Sequence, residues 1–456
     1  MPKADRLFSK LKEMIDEANV VQDPDRLKAC ALDGKKPKVV VTPGTIDEVS
    51  KVVTYASQEH LAIVPRGNGT KMEMGGIPKK MDIVLSTGRL HRITDRDCEN
   101  LTLSAESGLT LGEVQQGLSK VGKGYFLPLD PPFTDQATLG GIVATNSSGP
   151  KRLLYGTARD MMIGAKTVFP NGDIVVSGGK TVKNVSGYDM CKLLIGSYGT
   201  LGILCEMTFK LLPLPEKEAT LGLSFAALED ADDFVRELRG SQLIPSSIEI
   251  LNGLAVQKMR GPMSMPPNGN YFVAIGLEGV AESIDRQVSE MSEMGKKHGT
   301  LEAVTLDAEK HQVFWVALRD FSSRLTGEYS NVISMKSNFL ISKCGEVLAS
   351  YEKIAQGLGI HCAFISHAGN GILYSHVLPG KNVRSRVESF VELIEKMTAV
   401  AVKNEGSLVV ESSPLSIKKK VDVWGQSRGD YLVARRLKEQ IDPAGILNIG
   451  RFVGGI

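Results

Sequence analysis

Pro65-Arg66-Gly67-Asn68-Gly69-Thr70 and Thr138-Leu139-Gly140-Gly141-Ile142-Val143-Ala144-Thr145-Asn146-Ser147-Ser148-Gly149 decide how this chain reads. Glycine has no Cβ, so backbone N–H groups in such loops can converge on an anion, and two loops together suit a diphosphate. Gly196-Ser197-Tyr198-Gly199-Thr200-Leu201-Gly202-Ile203 is equally dense in glycine. Three such loops in one half of the chain point to a large nucleotide cofactor. The plainer alternative is that these glycines only serve turns.

The commoner nucleotide motifs do not fit. A dinucleotide fingerprint needs G-x-G-x-x-G between a strand and a helix, but Gly67-Asn68-Gly69 runs on into Thr70-Lys71-Met72. Gly179-Lys180-Thr181 has the end of a P-loop, yet Ile174 stands where that motif requires its first glycine.

Around the first loop the pattern is strand, helix, strand. Val39–Val41 is a β-branched run, and Thr45 to His60 reads as a helix with Thr45 near its N-cap and Glu48 completing a capping box. Leu61–Val64 is a second strand ending at the glycine loop, and Asp82–Leu85 a third. Leu101 to Leu212 reads as a mixed sheet with short helices at Leu109–Lys120 and Gly187–Leu194. Pro213-Leu214-Pro215 is the strongest boundary, because paired prolines resist regular structure. Beyond it, helical stretches (Leu228–Arg239, Ala281–His298, Arg384–Asn404) alternate with strand-like runs (Tyr271–Leu277, Leu301–Leu306), the rhythm of helices on an antiparallel sheet. A last helix, Tyr431–Gln440, precedes a turn at Asp442–Gly445.

Composition narrows the function classes. The 456 residues carry a net charge of +2, which gives no electrostatic case for nucleic acid or a membrane surface. Six cysteines are scattered without a C-x-x-C pair, which argues against zinc ribbons and iron–sulfur ligation and fits a reducing compartment. The amino terminus has Phe8, Leu11 and Ile15 at helical spacing but no apolar signal core, and no window approaches a membrane span. The chain reads as cytoplasmic, reaching a membrane only through partners.

In order and spacing, the blocks Pro65–Lys71, Leu127–Pro132, Thr138–Gly149, Tyr155–Asp160, Gly179–Asp189, Gly196–Ile203, Asp422–Gly425 and Asp442–Ile456 carry a family resemblance. The chain resembles FAD-linked oxidoreductases of the vanillyl-alcohol oxidase (PCMH) type, in the branch that includes the FAD-binding subunit of bacterial glycolate oxidase. The resemblance implies an α+β fold: a PCMH-type FAD-binding domain of two α/β subdomains, plus an α+β cap with an antiparallel sheet. The expected boundaries are a helical segment at 1–37, the FAD domain at 38–213, the cap at 214–429, and a tail at 430–456 returning to the FAD domain.

It further implies a flavin site. Arg66, Gly67, Asn68, Gly69 and Thr70 would lie on the diphosphate, and Thr138, Gly140, Gly141, Ala144, Thr145 and Gly149 on the diphosphate and ribityl chain. Gly199, Gly202 and Ile203 would follow the adenosine or ribityl portion, with Pro131 also in contact and Asn448 approaching the ring. Relatives with covalent flavin often have a histidine at Thr70; threonine offers no such nucleophile, so dissociable FAD is expected.

Oxidising a 2-hydroxy acid needs a cation for the carboxylate and a base for the hydroxyl proton. Arg319 and Lys336 are the candidate cations, with ordinary surface charge as the alternative. Catalytic family members carry H-x-G-D-G-N-x-H and later E-H-G, a cluster that binds a metal or orients the substrate. This chain has His367-Ala368-Gly369-Asn370-Gly371-Ile372-Leu373-Tyr374 and Glu411-Ser412-Ser413. One imidazole and one carboxylate make a poor divalent site, so no metal is expected there. His376 would share a strand face with Tyr374 rather than replace it. His367 is either the general base or a satisfied histidine at a strand end.

Two roles follow from the resemblance: a self-sufficient D-2-hydroxy acid dehydrogenase, or a flavin subunit beside a catalytic homologue and an iron–sulfur subunit. The departures from the cluster favour the second. A non-catalytic flavin-holding structural subunit is the remaining alternative.

Overall fold

The computed structural model describes residues 3–181, 188–259, 269–329, 331–378, 386–425 and 429–456. It divides into two compact units: Met1–Ser148 with Gly156–Leu214 and Ser427–Ile456, and Gly149–Tyr155 with Pro215–Gln426.

The first unit opens with a four-stranded sheet. Val39–Val41 and Ile63–Arg66 both run parallel to the strand between them, Ile83–Ser86, and Val20–Val21 pairs antiparallel at the edge. Parallel strands covered on both faces read as continuous apolar runs, which Val39–Val41 and Ile83-Val84-Leu85 are. The helix Ile46–Gln58 packs Val49, Val52, Val53 and Ala56 inward, all fully buried. Thr45 Oγ1 accepts from the Glu48 N–H, but the Glu48 carboxylate reaches the Gly44 N–H rather than that of Thr45, so the expected capping box is half formed. Complete boxes occur at Thr110/Glu113 and Thr157/Asp160.

The tail joins this sheet. Ile63 N–H donates to the Ile446 carbonyl, Asn448 N–H donates to the Ile63 carbonyl, and Ile63 bridges Leu447 in parallel. Buried Lys438, from the helix Tyr431–Ile441, donates to the carbonyls of Thr200 and Leu447 and to Asp442, 2.5 Å away.

A five-stranded sheet follows in the order Ile93–Asp97, Thr102–Glu106, Ile203–Lys210, Met162–Val168, Ile174–Gly178, antiparallel throughout. The second glycine loop starts here as the helix Leu139–Thr145, with Thr138 as N-cap and Asn146 left-handed at its end. The helix expected from Gly187 begins at Met190, capped by Asp189; residues 182–187 lie outside the described residues. Pro213 does not break the chain: Leu212–Pro213 pairs with Tyr125–Phe126 at an edge that needs no donor from proline.

The second unit is an eight-stranded antiparallel sheet. Its strands run in the order Glu302–Asp307, Lys217–Phe225, Tyr271–Gly279, Ser247–Asn252, Cys362–His367, Ile372–Val377, Ile333–Asn338, Ser407–Ser412. One face supplies Leu221, Leu223, Ile248, Ile250, Val273 and Ile275 to the core under the helices Leu228–Gly240, Ala281–Lys297, Cys344–Gly357 and Val387–Lys403. The other packs Phe272, Ala274, Leu251 and Ile365 against Phe314, Trp315, Leu318 and Phe321. No described helix is long and apolar enough to cross a membrane.

Candidate functional site

The strand Ile63–Arg66 delivers the first glycine loop at its carboxyl end, where open α/β sheets place their ligands. This loop, the Thr138 helix and the loop at Gly199 line one cavity in the first unit. Arg66, Gly67, Asn68, Gly69, Thr70, Thr138, Gly140, Gly141, Ala144, Thr145, Gly199, Gly202, Ile203 and Asn448 all line it. Pro131 and Gly149 do not: Pro132 takes the first place, and Gly149 clusters with the second unit.

Two glycines are dictated by geometry. A Cβ on Gly67 would stand 2.2 Å from Thr138 Oγ1, so only glycine lets the two loops approach; Gly69 adopts φ +86°, closed to most side chains. The wall carries Arg66, Lys71 and Arg451, and none of its described residues is acidic. Arg451 is 2% exposed and donates to the carbonyls of Met72 and Met74. Burial lowers its guanidinium to about 10, against the pull of Asp33 and Tyr198, so it stays cationic at neutral pH. Asn448, left-handed at φ 48°, donates through Nδ2 to the Tyr198 carbonyl 2.5 Å away, while its buried Oδ1 has no hydrogen-bond partner. A cationic, acid-free cradle with an orphaned polar atom suits a diphosphate-bearing ligand.

In the second unit, antiparallel register puts Glu249 directly opposite His367, and Lys336 opposite Tyr374. Opposed residues share a sheet face, as do residues two apart, so Glu249, His367, Tyr374, His376 and Lys336 project together. His367 is 4% exposed and Glu249 fully buried, with Nδ1 2.7 Å from Oε2. Lys336 Nζ lies 5.7 Å from the Tyr374 ring. Burial, with repulsion from Lys336 and Arg152, pushes the imidazole below its usual range. The Glu249 carboxylate pulls the other way; the downward direction stands because the buried ring is desolvated and two cations act on it.

Arg319 is not among those charges: it ends the helix Ala308–Arg319 with Nε 3.8 Å from Asp320 Oδ1. His376 holds Ser334 Oγ at 3.1 Å, and Glu411 is the extra residue where pairing slips from Ser334–Ser412 to Met335–Val410.

Comparison with known proteins places this architecture. The description "FAD binding domain" matches residues 37–178, and "FAD linked oxidases, C-terminal domain" matches residues 214–452. The chain belongs to the FAD-linked oxidases. Among relatives of this FAD-linked oxidase, glycolate oxidase subunit GlcD of Bacillus subtilis is 30% identical over 91% of this chain and 89% of its own. D-lactate dehydrogenase of Archaeoglobus fulgidus is 27% identical, covering 91% of each, and D-2-hydroxyglutarate dehydrogenase of Stutzerimonas stutzeri 25%, covering 98% of each. p-Cresol methylhydroxylase shares the fold at a TM-score of 0.75 with 19% identity, over 99% of this chain and 97% of that one. Alkyldihydroxyacetonephosphate synthase does so at 0.72 with 21% identity, over 97% and 84%.

The cavity of this FAD-linked oxidase fits the dinucleotide. Sequence reasoning missed Tyr198 and Arg451 in its wall, and Glu249 and Arg152 beside His367. Alternation in Ser247-Ile248-Glu249-Ile250-Leu251, with Ile248 and Ile250 in the core, was the available signal for Glu249. It also missed a cluster of metal-ligating groups. One ligand atom each from Glu218, Glu278 and His311 lies within 4.8 Å of the others. The Lys151 ammonium sits among them, 2.8 Å from Glu278 and 3.1 Å from Glu218, and Tyr155 donates to Glu278. His311 Nδ1 is 2.9 Å from Thr220 Oγ1, and burial lowers its pKa despite Glu218.

Proposed function

We propose that the chain is the FAD-binding subunit of a glycolate- or D-lactate-type 2-hydroxy acid dehydrogenase, passing electrons to a partner iron–sulfur subunit. The observation that carries this reading is the buried His367–Glu249 pair with Lys336 and Arg152 acting on it: a base and cations, the groups that a 2-hydroxy acid requires. The names of the relatives support the substrate class.

Arg66, Lys71 and Arg451 would hold the FAD diphosphate and flavin end through charge, and the glycine loops would hold it without a covalent bond. The described cavity wall has neither histidine nor cysteine to form one. Bound FAD supplies an acceptor for the hydride from the substrate Cα. Lys336 and Arg152 hold the substrate carboxylate, and Nε2 of His367 takes the hydroxyl proton. The Cα–H electron pair leaves as hydride, the O–H pair becomes the second C–O bond, and a 2-oxo acid results.

Electrons then leave the chain. Its six cysteines are free and scattered, so they offer no ligand set for an iron–sulfur relay. A partner iron–sulfur subunit beside a catalytic flavoprotein homologue, with any membrane contact made through them, completes the reading.

The deciding experiment mixes the purified yellow protein anaerobically with glycolate or D-lactate, alone and with candidate partner subunits. Bleaching, followed by reoxidation only when an iron–sulfur partner is added, is expected. Bleaching with full turnover on a free quinone would favour a self-sufficient dehydrogenase, and no bleaching in any mixture would leave a flavin-holding subunit.

A further inference from the structure

Glu249 and His367 do more than meet in a buried pair. Both are held by main chain: Glu249 lies within the paired strand Ser247–Asn252, and the Ala368 N–H donates to the Ile248 carbonyl at 2.9 Å, pinning the strand end beside His367. The imidazole plane is fixed from one side by Tyr374, edge-on with ring centroids 5.0 Å apart. The carboxylate faces Nδ1, not Nε2. A charged carboxylate only accepts hydrogen bonds, so this contact is favourable only when Nδ1 carries the hydrogen.

We propose that Glu249 is a positioning residue that locks His367 in the Nδ1–H tautomer and leaves Nε2 bare to take the substrate's hydroxyl proton. The inference rests on His367 being the base in the reaction proposed above. It deepens that reading by assigning what makes the histidine basic at all. Lys336 and Arg152 oppose a positive imidazole, and burial removes the water that would solvate it. The carboxylate in hydrogen-bond contact is then the group that can stabilise the imidazolium as the proton arrives on Nε2. The proton moves from substrate oxygen to Nε2 while the Nδ1–H bond to Glu249 stays intact, so no proton is lost or gained by the pair beyond the one accepted.

The assignment also separates two jobs on one sheet face. Lys336 and Arg152 put positive charge beside the imidazole, which would attract an anionic substrate. Glu249 lies on the opposite ring nitrogen, where its negative charge acts on the histidine.

The test uses the full-length FAD-loaded protein with glycolate and D-lactate as probes. Glu249→Gln keeps the size but loses the charge, and Glu249→Asp keeps the charge but shortens the reach. The expected rate of anaerobic flavin reduction falls about 100-fold in Glu249→Gln, with the substrate dissociation constant changed less than about threefold, as for loss of an outer partner that orients a functional imidazole. Glu249→Asp should recover at least part of that loss, which a merely structural role would not predict from a shorter side chain. FAD content and melting temperature are measured on each variant to keep misfolding separate.

A second readout does not depend on turnover. In protein labelled with nitrogen-15 histidine, the His367 resonances, assigned with His367→Gln, should show hydrogen on Nδ1 in the wild type and a shifted tautomer balance in Glu249→Gln. Hydrogen on Nε2 in the wild type, or a wild-type reduction rate in Glu249→Gln, overturns the proposal. Wild-type protein that neither acid bleaches would count against the reaction reading instead, and the tautomer measurement would still decide the role of Glu249.

Discussion

Tyr374 stands edge-on to His367 with ring centroids 5.0 Å apart, and on its other side stacks on His376 at 6.3 Å with the rings 5° from parallel. In the family pattern a histidine occupies the place of Tyr374. A phenol in a packed aromatic row is a poor substitute for a metal-ligating imidazole. Chelation should therefore leave flavin reduction by glycolate or D-lactate unchanged, within about twofold, and added Zn²⁺ or Mn²⁺ should not raise it. A loss of activity on dialysis against a chelator, restored by one of these ions, would show that a metal works at this face after all.

The depressed imidazole of His367 sets a pH dependence of stability. An unfolded histidine titrates near 6.5, while the folded one resists protonation to a lower pH, so below about 6.5 the unfolded chain binds the extra proton. Stability from this group is complete above that pH and is lost as pH falls toward the folded value. Between pH 6.5 and 5 the contribution is about 2 kcal/mol if the shift is complete over that window. Urea midpoints of wild type and His367→Gln at pH 7 and pH 5 should differ by more at pH 7, because the variant lacks this term. Parallel pH curves for the two proteins would contradict it.

Gly141 lines the cavity, and a Cβ there would sit 3.1 Å from Thr138 Oγ1, tight but not impossible. Gly141→Leu should therefore fold, yet fill space that the cofactor needs. The expected result is a colourless protein whose far-ultraviolet circular dichroism matches wild type. Full FAD content after purification in excess FAD would remove Thr138–Gly149 from the flavin site.

Much of the first unit was legible because its signals are local. The glycine loops, the β-branched run Val39–Val41 and the helix over Ile46–Gln58 each announce themselves within a dozen residues. The His367 face was legible only in part. Glu249 is 118 positions away and reaches His367 only through strand pairing, and Arg152 arrives on a seven-residue segment that clusters with the second unit although its sequence neighbours belong to the first. No spacing rule encodes either approach. Arg319 drew attention through its charge near Trp315; it ends its helix beside Asp320, with its buried Nε lacking a hydrogen-bond partner among the described residues. Pro213 lies beside the division between the two units at Leu214 and Pro215, and its edge position tolerates a residue without an N–H.

Lys438 is a buried cation whose three acceptors come from the Thr200 loop, Asp442 and the tail carbonyl of Leu447. Burial lowers its pKa, and Asp442 opposes that shift. Lys438→Met removes the charge while keeping most of the volume, stranding Asp442, whose side chain is fully buried. Breaking a buried pair from one side costs about 3–5 kcal/mol, although Ile446 and Leu447 N–H groups still bond Asp442 and should hold the loss near the lower end. Because the same lysine ties the tail bearing Asn448 to the loop bearing Tyr198, FAD should dissociate faster from the variant. Denaturant unfolding and flavin-release kinetics measure the two effects separately, and a loss of stability with unchanged FAD retention would detach the tail from the cavity.

Lys151 presents the converse case, a lysine where a metal could stand. Its ammonium bridges Glu218 and Glu278, whose oxygens lie with a His311 nitrogen within 4.8 Å of one another. Lys151→Ala removes the ammonium that bridges these two carboxylates, and like charges at that separation repel strongly in a buried setting. Without added metal the variant should lose about 3 kcal/mol or more of stability. Two carboxylates and an imidazole are, however, a sufficient donor set for Zn²⁺ or Mn²⁺, and the truncated side chain leaves room for an ion. Adding either ion should raise the melting temperature of Lys151→Ala and leave the wild type unmoved, since there the ammonium already neutralises the carboxylates. A further change of His311→Ala should abolish the metal response while sparing most of the residual stability. If Lys151→Ala melts at the wild-type temperature without metal, the two glutamates are not held by this lysine, and their charge must be relieved by protonation instead.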